Sequence, residues 1–520
     1  IRNPEAGGEV QNHTLTNHDY FISHRGFFWD LLVWKDEAPV DDPGQKTGTD
    51  YNTLIEILKV SFELTEGQSM IHVGGFTPWA FKYTKEPGAG GKHGGVHTEW
   101  QTVMLLSAFN AYIDADALSL SALANASFFQ HMRLPDIMSQ PLPLQKEELV
   151  RKGLVSSSGR PAVRNYILHY AGDWDSAAWL TNSFFPTWDA SERGTLSMTW
   201  PINPSLCERA PHVFDYLFRT RSGRDTFSTG DSGAGYVNAT QLLEPRKISG
   251  LPSGKEAWIE HCAKYYGRFQ MRFTGFLING LSGCLSPEAV SLYEAFSWDG
   301  AVVQNSCAYS PPYMEGRMPV FVMGDDLSGD IVKDADTIHS RSKPGNTSFQ
   351  IFRSILKPYD YYTRLNSLIQ ESRPDMVYEI CDAGTFSRIA KLSLGGNNNQ
   401  MASILYHTLP DTLEKGGKHR FEIAIRNDGW DDWSITNPQK IKLIMETRTP
   451  DGAIIKHEAV PLKYQPFPGN CVVMQITALM PSMNDRVTVV LDLEDSDGRR
   501  FSLNGSGLFR KDIRLVHSVS

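Results

Sequence analysis

RNYILHYAGDWDSAAW, residues 164–179, is the stretch whose reading decides the fold. Its first half is a compact run of strand-forming residues, and its second half breaks into glycine and carboxylates. A strand that ends in polar residues is the unit from which parallel sheets covered by helices are built, and the loop after it is free to vary while the strand holds it rigid. The same pattern recurs at GFFWDLLVW (26–34), SMIHVGGF (69–76), ALSLSALAN (117–125), TLSMTWPIN (195–203), FTGFLING (273–280), AVVQNS (301–306), PVFVMGD (319–325) and MVYEICD (376–382).

Amphipathic segments fall between these runs. Asp50 precedes LIEILKVSFEL, in which Leu54, Ile57, Leu58 and Phe62 share one helical face. Thr98 and Gln101 read as a capping box, Ser286-Pro287-Glu288 opens another helix, and a last one runs from about Thr385 to Leu394 before Gly395. The order predicts an α/β fold: an irregular β/α barrel of seven or eight strands over residues 1–396, with about 1–20 an extended N-terminal segment. GGNNNQ at 395–400 has the composition of a linker. Beyond it the period becomes two, in RFEIAIRND (420–428), IKLIMETRT (441–449), VVMQITAL (472–479) and RVTVVLDLED (486–495), which predicts a small antiparallel, Ig-like β-sandwich as an accessory domain over 397–520.

Bulk properties narrow the function. A chain of 520 residues is long for one domain, and 41% hydrophobic with 21% charged residues is ordinary for a globular protein. A net charge of −9 argues against a nucleic-acid partner, which calls for clustered Lys and Arg. No apolar run approaches the roughly 20 residues that span a bilayer, so membrane insertion is not expected. The six cysteines show no metal-site or redox spacing and read as buried thiols. The polar opening IRNPEAGGEV, which lacks an initial Met, is what removal of a signal segment or loss of an N-terminal portion leaves. Together with acceptor sequons at Asn12, Asn125, Asn238, Asn346 and Asn504, the expectation is a secreted protein, extracellular or periplasmic.

GDSGAGYVNA, residues 230–239, places a carboxylate, a hydroxyl, an aromatic ring and an amide on a glycine-rich backbone that a ligand can approach closely. With IHVGGFTPWAFKYT (71–84), YAGDWDSAAW (170–179) and TWPINPSLCERAP (199–211), it resembles the GxGYxYP putative glycoside hydrolase family over roughly residues 20–395. Gly233, Gly235 and Tyr236 fit the motif that names the family; its closing Tyr-Pro is replaced here by Asn238-Ala239.

The resemblance implies sugar chemistry, and glycosidic cleavage needs two carboxyl groups across the bond. Asp173 and Asp175 follow the strand 164–173, Asp231 begins the glycine-rich loop, and Asp30 is a carboxylate within an apolar strand, where burial is costly unless it is paired or faces a polar cleft. These four are the candidate catalytic residues; each also suits a cap, a turn or a structural ion pair. His72, Trp79, Asn125, Trp200, Asn203, Tyr236 and Asn279 lie at or after strand ends and offer the amides and aromatic faces a saccharide requires. Glu99 reads as a first-turn helix charge.

HGGVHTE (93–99) contains His93, His97 and Glu99, yet its glycines oppose the helix that would align them on a metal, so neither metal nor cofactor is implied. Trp430 and Trp433 in NDGWDDW read as buried. The expected partner is a poly- or oligosaccharide; oligomeric state is open. Two rival readings stand beside glycoside hydrolysis. GDSGAG resembles the GDSGG of trypsin-like proteases, which would make Ser232 the nucleophile of a serine hydrolase or carbohydrate esterase, although Ala234 spoils a GxSxG elbow. The other rival is a non-catalytic carbohydrate-binding protein.

Overall fold

The computed structural model describes residues 18–29, 31–39, 42, 44–75, 93–114, 125–177, 179–307, 311–433, 441–502 and 507–517. Among the described residues, eleven strands precede residue 396: β1 Ile71–Gly74, β2 Ala111–Asp114, β3 Asn165–Gly172, β4 Met198–Ile202, β5 Asp225–Asp231, β6 Phe273–Leu277, β7 Gly300–Val303, β8 Tyr313–Glu315, β9 Met318–Val322, β10 Ser348–Ile355 and β11 Tyr378–Ile380. They form a parallel pair β1-β2, a parallel sheet β10-β3-β11 and a six-stranded half-barrel β4-β5-β6-β7-β9-β8, parallel except for β8. All eight residues of β3 are buried, as a strand covered on both faces must be. The segment after β9 reaches β10 through the Gly324 amide on the Ile351 carbonyl (2.9 Å) and the Leu327 amide on the Arg353 carbonyl (2.7 Å).

The expected strand at 26–34 does not form among its described residues. Side chains take up its backbone groups instead: the Leu32 amide donates to Asp50 Oδ2 (3.0 Å) and Gln101 Nε2 donates to the Val33 carbonyl (3.3 Å). Asp50 is therefore a ligand for this segment, inside the first turn of the helix Thr49–Leu64. Thr98 is not a cap either; it lies within the helix Gly95–Ser107 and donates to the Gly94 carbonyl. Ser286 does cap its helix, accepting from the Ala289 amide, and Asp382 caps Ala383–Ser393. Most of the expected strand at 117–125 lies outside the described residues.

Residues 402–516 contain β12 Ala402–His407, β13 Thr412–Glu414, β14 Lys418–Asn427, β15 Lys442–Arg448, β16 Ile454–Pro461, β17 Cys471–Leu479, β18 Arg486–Glu494 and β19 Phe509–Val516. The sheets β12-β14-β17 and β13-β19-β18-β15-β16 share one hydrophobic cluster that includes Ile423, Val472, Leu443 and Leu491. β17 alternates exposed and buried residues along its length, the signature of a sheet with one wet face. Trp433 is buried in this cluster, whereas Trp430 packs on the cluster of the preceding α/β part.

At the junction, Arg272, immediately before β6, pairs with the buried Asp428, which Arg426 also contacts, and Arg510 pairs with Glu260 at 2.8 Å. Not every cysteine is a buried thiol: Cys284 and Cys307 form a disulfide and Cys471 is exposed, while Cys207, Cys262 and Cys381 are buried. No helix among the described residues is long and apolar enough to cross a membrane.

Candidate active site

The ends of β3 and β5 bring three carboxylates together. The Asp231 amide donates to Asp175 Oδ2 at 3.2 Å, and a Cβ at Gly230 would fall 2.7 Å from the Asp175 side chain, so only glycine lets the two loops close this far. Asp173, two residues before Asp175, pairs with Arg353 of β10 at 3.3 Å; Arg353 reaches Asp326 at 3.2 Å on its other side and lies over the Phe276 ring. Tyr170 is buried beneath the group and feels all three carboxylates.

Asp173 and Asp231 sit in different fields. Burial, with the charges of Asp175 and Asp173, a hydrogen bond to Asp175 and the charge of Glu99, holds the Asp231 carboxyl well above the ordinary carboxylate range. Burial and Asp175 also push Asp173 up, to about 6, against the guanidinium of Arg353, which favours its ionised form. Asp231 is thus a proton donor hydrogen-bonded to Asp175, and Asp173 an acid that ionises near neutrality beside a cation. Two acids set apart by their surroundings are what acid–base catalysis at one bond requires.

The glycine-rich loop carries Tyr236 away from this group and into a second sheet. The Tyr236 amide donates to the Ile113 carbonyl (2.8 Å) and the Ile113 amide to the Tyr236 carbonyl (3.1 Å), so the loop is stitched to β2. Gly235, at φ +121, allows it, because a Cβ there would fall 2.3 Å from Tyr112. Tyr236 is buried, and burial together with the nearby Glu99 charge raises its pKa well above 10. Its role is to brace the loop rather than to offer an open face for stacking.

The other expected binding residues separate. His72 lies 2.5 Å from Asp114, which Arg209 also contacts at 3.1 Å, and its ring stacks on Tyr112 at 5.1 Å; this is a cluster of its own beyond the loop. Trp200 is fully buried and donates Nε1 to Asp225 at 3.0 Å, so it is core and gives a sugar no platform. Asn203 is a buried cap that accepts from the Ser205 amide (3.0 Å). Asn279 is also buried, donating to the Gly283 carbonyl (2.6 Å) and accepting from Thr240 (2.8 Å), and so fixes a loop. Asn125 is exposed, left-handed (φ 62), at the start of the helix Ala126–Phe129. Asp30 and Trp79 lie outside the described residues.

Ser232 is buried at φ +65 with its amide on the Phe276 carbonyl (2.7 Å). His261, the histidine bonded to this loop, donates Nε2–H to the Ala234 carbonyl (2.8 Å), and burial drives its pKa down to about 3. His93 stacks on Trp34 and meets Asp36 at 2.9 Å, and no group of three metal-binding side chains occurs among the described residues. Arg353, the cation of SFQIFRSI, a strand not foreseen, escaped the sequence reading, and Glu99, read as a first-turn charge, also acts on Asp231 and Tyr236. The signal for Arg353 was the same as for Asp30, an ion within an apolar run.

The fold and site define an α/β protein with a half-buried carboxylate cluster at the ends of two strands. Residues 164–383, which hold all three aspartates, Arg353 and the GAGY motif, match the family model described as GxGYxYP putative glycoside hydrolase C-terminal domain. The similar stretch at 71–84 lies outside that match. No curated protein matches the chain. Among solved structures, a putative hydrolase from Bacteroides thetaiotaomicron is 13% identical with a TM-score of 0.42 over 57% of this chain, and the chain covers 55% of its length, just over half. A CARDB domain from Pyrococcus furiosus is 14% identical with a TM-score of 0.17, matching 22% of this chain and 94% of its own.

Proposed function

We propose that this protein hydrolyses the glycosidic bonds of a poly- or oligosaccharide, with Asp231 as proton donor to the leaving oxygen and Asp173 as the ionised partner. The observation that carries this reading is the convergence of Asp173, Asp175 and Asp231 from two strand ends, with Asp173 beside a guanidinium and Asp231 against Asp175. Asp175 accepts the Asp231 hydrogen bond and so positions the donor; Arg353 holds Asp173 in place and favours its charge. Nothing at Ser232 favours the esterase reading, since the neighbouring histidine has its Nε2 proton committed to Ala234.

The architecture proposed around this site is an irregular β/α barrel over 1–396, with the segment after β9 joining the half-barrel to β10, and a β-sandwich over 397–520. A secreted location is supported by the Cys284–Cys307 disulfide. The test uses paired substrates, an oligosaccharide panel and the matching dinitrophenyl glycosides, whose leaving group needs no proton. Asp231→Asn should lose turnover of the oligosaccharide about 10²–10⁴-fold and keep much of its activity on the activated glycoside. Asp173→Asn should lose both. Unchanged rates in both variants would overturn the assignment.

A further inference from the structure

A cavity of about 670 Å³ lies away from the three aspartates, where the α/β part meets the strands after 402. Its wall includes Trp298, Asn399 and Gln400 together with the cations Arg317 and Lys391. Lys391 is 2% exposed, and its Nζ donates to the Trp298 carbonyl at 2.6 Å while its nearest carboxylate, Asp299, stands 4.0 Å away. Arg317 donates Nη2–H to the Phe501 carbonyl (2.7 Å), and its buried Nε has no partner among the described residues. The other charges of the wall are Arg499, Arg500, which pairs with Glu446 (2.9 Å), Asp431 and Glu294, which accepts from the Arg317 backbone amide (2.8 Å), so four cations face two carboxylates.

We infer that this cavity is a second, non-catalytic binding site for an acidic oligosaccharide, whose carboxylate meets Arg317 and Lys391 while its hydroxyls meet Asn399 and Gln400. The size suits a short oligosaccharide and the mixture of amides, an indole and cations suits a sugar acid. A buried lysine whose carboxylate partner stands 4.0 Å away, in a wall where cations outnumber anions, favours a ligand that brings another anion. Independently of the geometry, burial together with the neighbouring Arg388, Arg317 and Arg272 charges draws the Lys391 pKa down to about 8, a penalty that a bound carboxylate relieves.

The probe is trigalacturonate, titrated by calorimetry into the full chain carrying Asp231→Asn so that no turnover intervenes, with its neutral methyl ester and inorganic sulfate as comparisons. The expected result is saturable binding of the acid that weakens at least tenfold in Arg317→Gln and in Asn399→Ala and falls with salt. The Asn399 variant guards against a folding defect at Arg317. The ester should bind at least tenfold more weakly, and sulfate should compete only poorly. No binding, binding untouched by both cavity variants, equal affinity for the ester, or full competition by sulfate would each overturn the inference. Binding lost only in Arg353→Gln would place the acid in the catalytic cleft, leaving the proposed function intact and removing this site.

Discussion

An aspartate kept protonated by its surroundings is a burden to the fold at neutral pH, and Asp231 is such a residue. Its folded pKa is raised, so the native state holds a proton that the unfolded chain releases above about pH 4. Its contribution is therefore present below the unfolded pKa and is lost as pH rises. Asp231→Asn keeps a donor toward Asp175 without that cost, and should stabilise the protein by about 0.5–2 kcal/mol at pH 7. Thermal melts should show the gap closing below pH 4. Asp173, at about 6, sets the acid limb of the rate profile: kcat/KM should fall as pH drops through about 6. Arg353→Gln removes the charge that opposes its protonation, so the limb should move to higher pH, read from the same profile. An unmoved limb would assign it to another group. Asp173, Asp175 and Asp231 were legible because carboxylates at strand ends are few; Arg353 was not, because its strand was missed.

The elements differed in how openly the sequence declared them. β3 and the strands with period-two alternation were visible because one periodicity dominates each. β5, DTFSTGD, looks like a loop, and it is a buried strand only because its polar groups find partners: Thr229 with Tyr266 at 2.6 Å, and the Phe227 amide with Gln140 at 2.6 Å. Conversely, 26–34 reads as a strand, yet its described residues join no sheet, and Asp50 and Gln101 side chains meet the backbone at Leu32 and Val33. The Gly230 and Gly235 positions make the β5 loop sensitive to single atoms. Gly235→Ala should cost about 1–3 kcal/mol through positive φ and overlap with Tyr112, and lower kcat by displacing Asp231. Wild-type stability with wild-type kcat would show that the loop tolerates the methyl group.

On the scale of the molecule, the change of period near residue 396 announced two kinds of architecture, but composition could not reveal how they meet. That contact rests on ions. Burial alone would raise the Asp428 pKa, yet Arg272 and Arg426 bring it down to about 2. A depressed carboxylate contributes stability above its unfolded pKa, and this is lost as pH falls from about 4 through about 2. Asp428→Asn leaves two guanidinium groups uncompensated and should cost about 3–5 kcal/mol, measured by denaturant titration at pH 7. A loss below 1 kcal/mol would mean water reaches the cluster.

The stitch between Tyr236 and Ile113 has a bearing on how little of this chain suffices for its chemistry. The matched region starts at residue 164, but its signature tyrosine is anchored by a peptide that precedes it, at Ile113, and feels the charge of Glu99, which also lies before the match. A polypeptide trimmed to start at 150 would retain Asp173, Asp175 and Asp231 and lose the wall they lean on. It should turn over nothing until the missing piece, residues 18–149, is supplied alongside it.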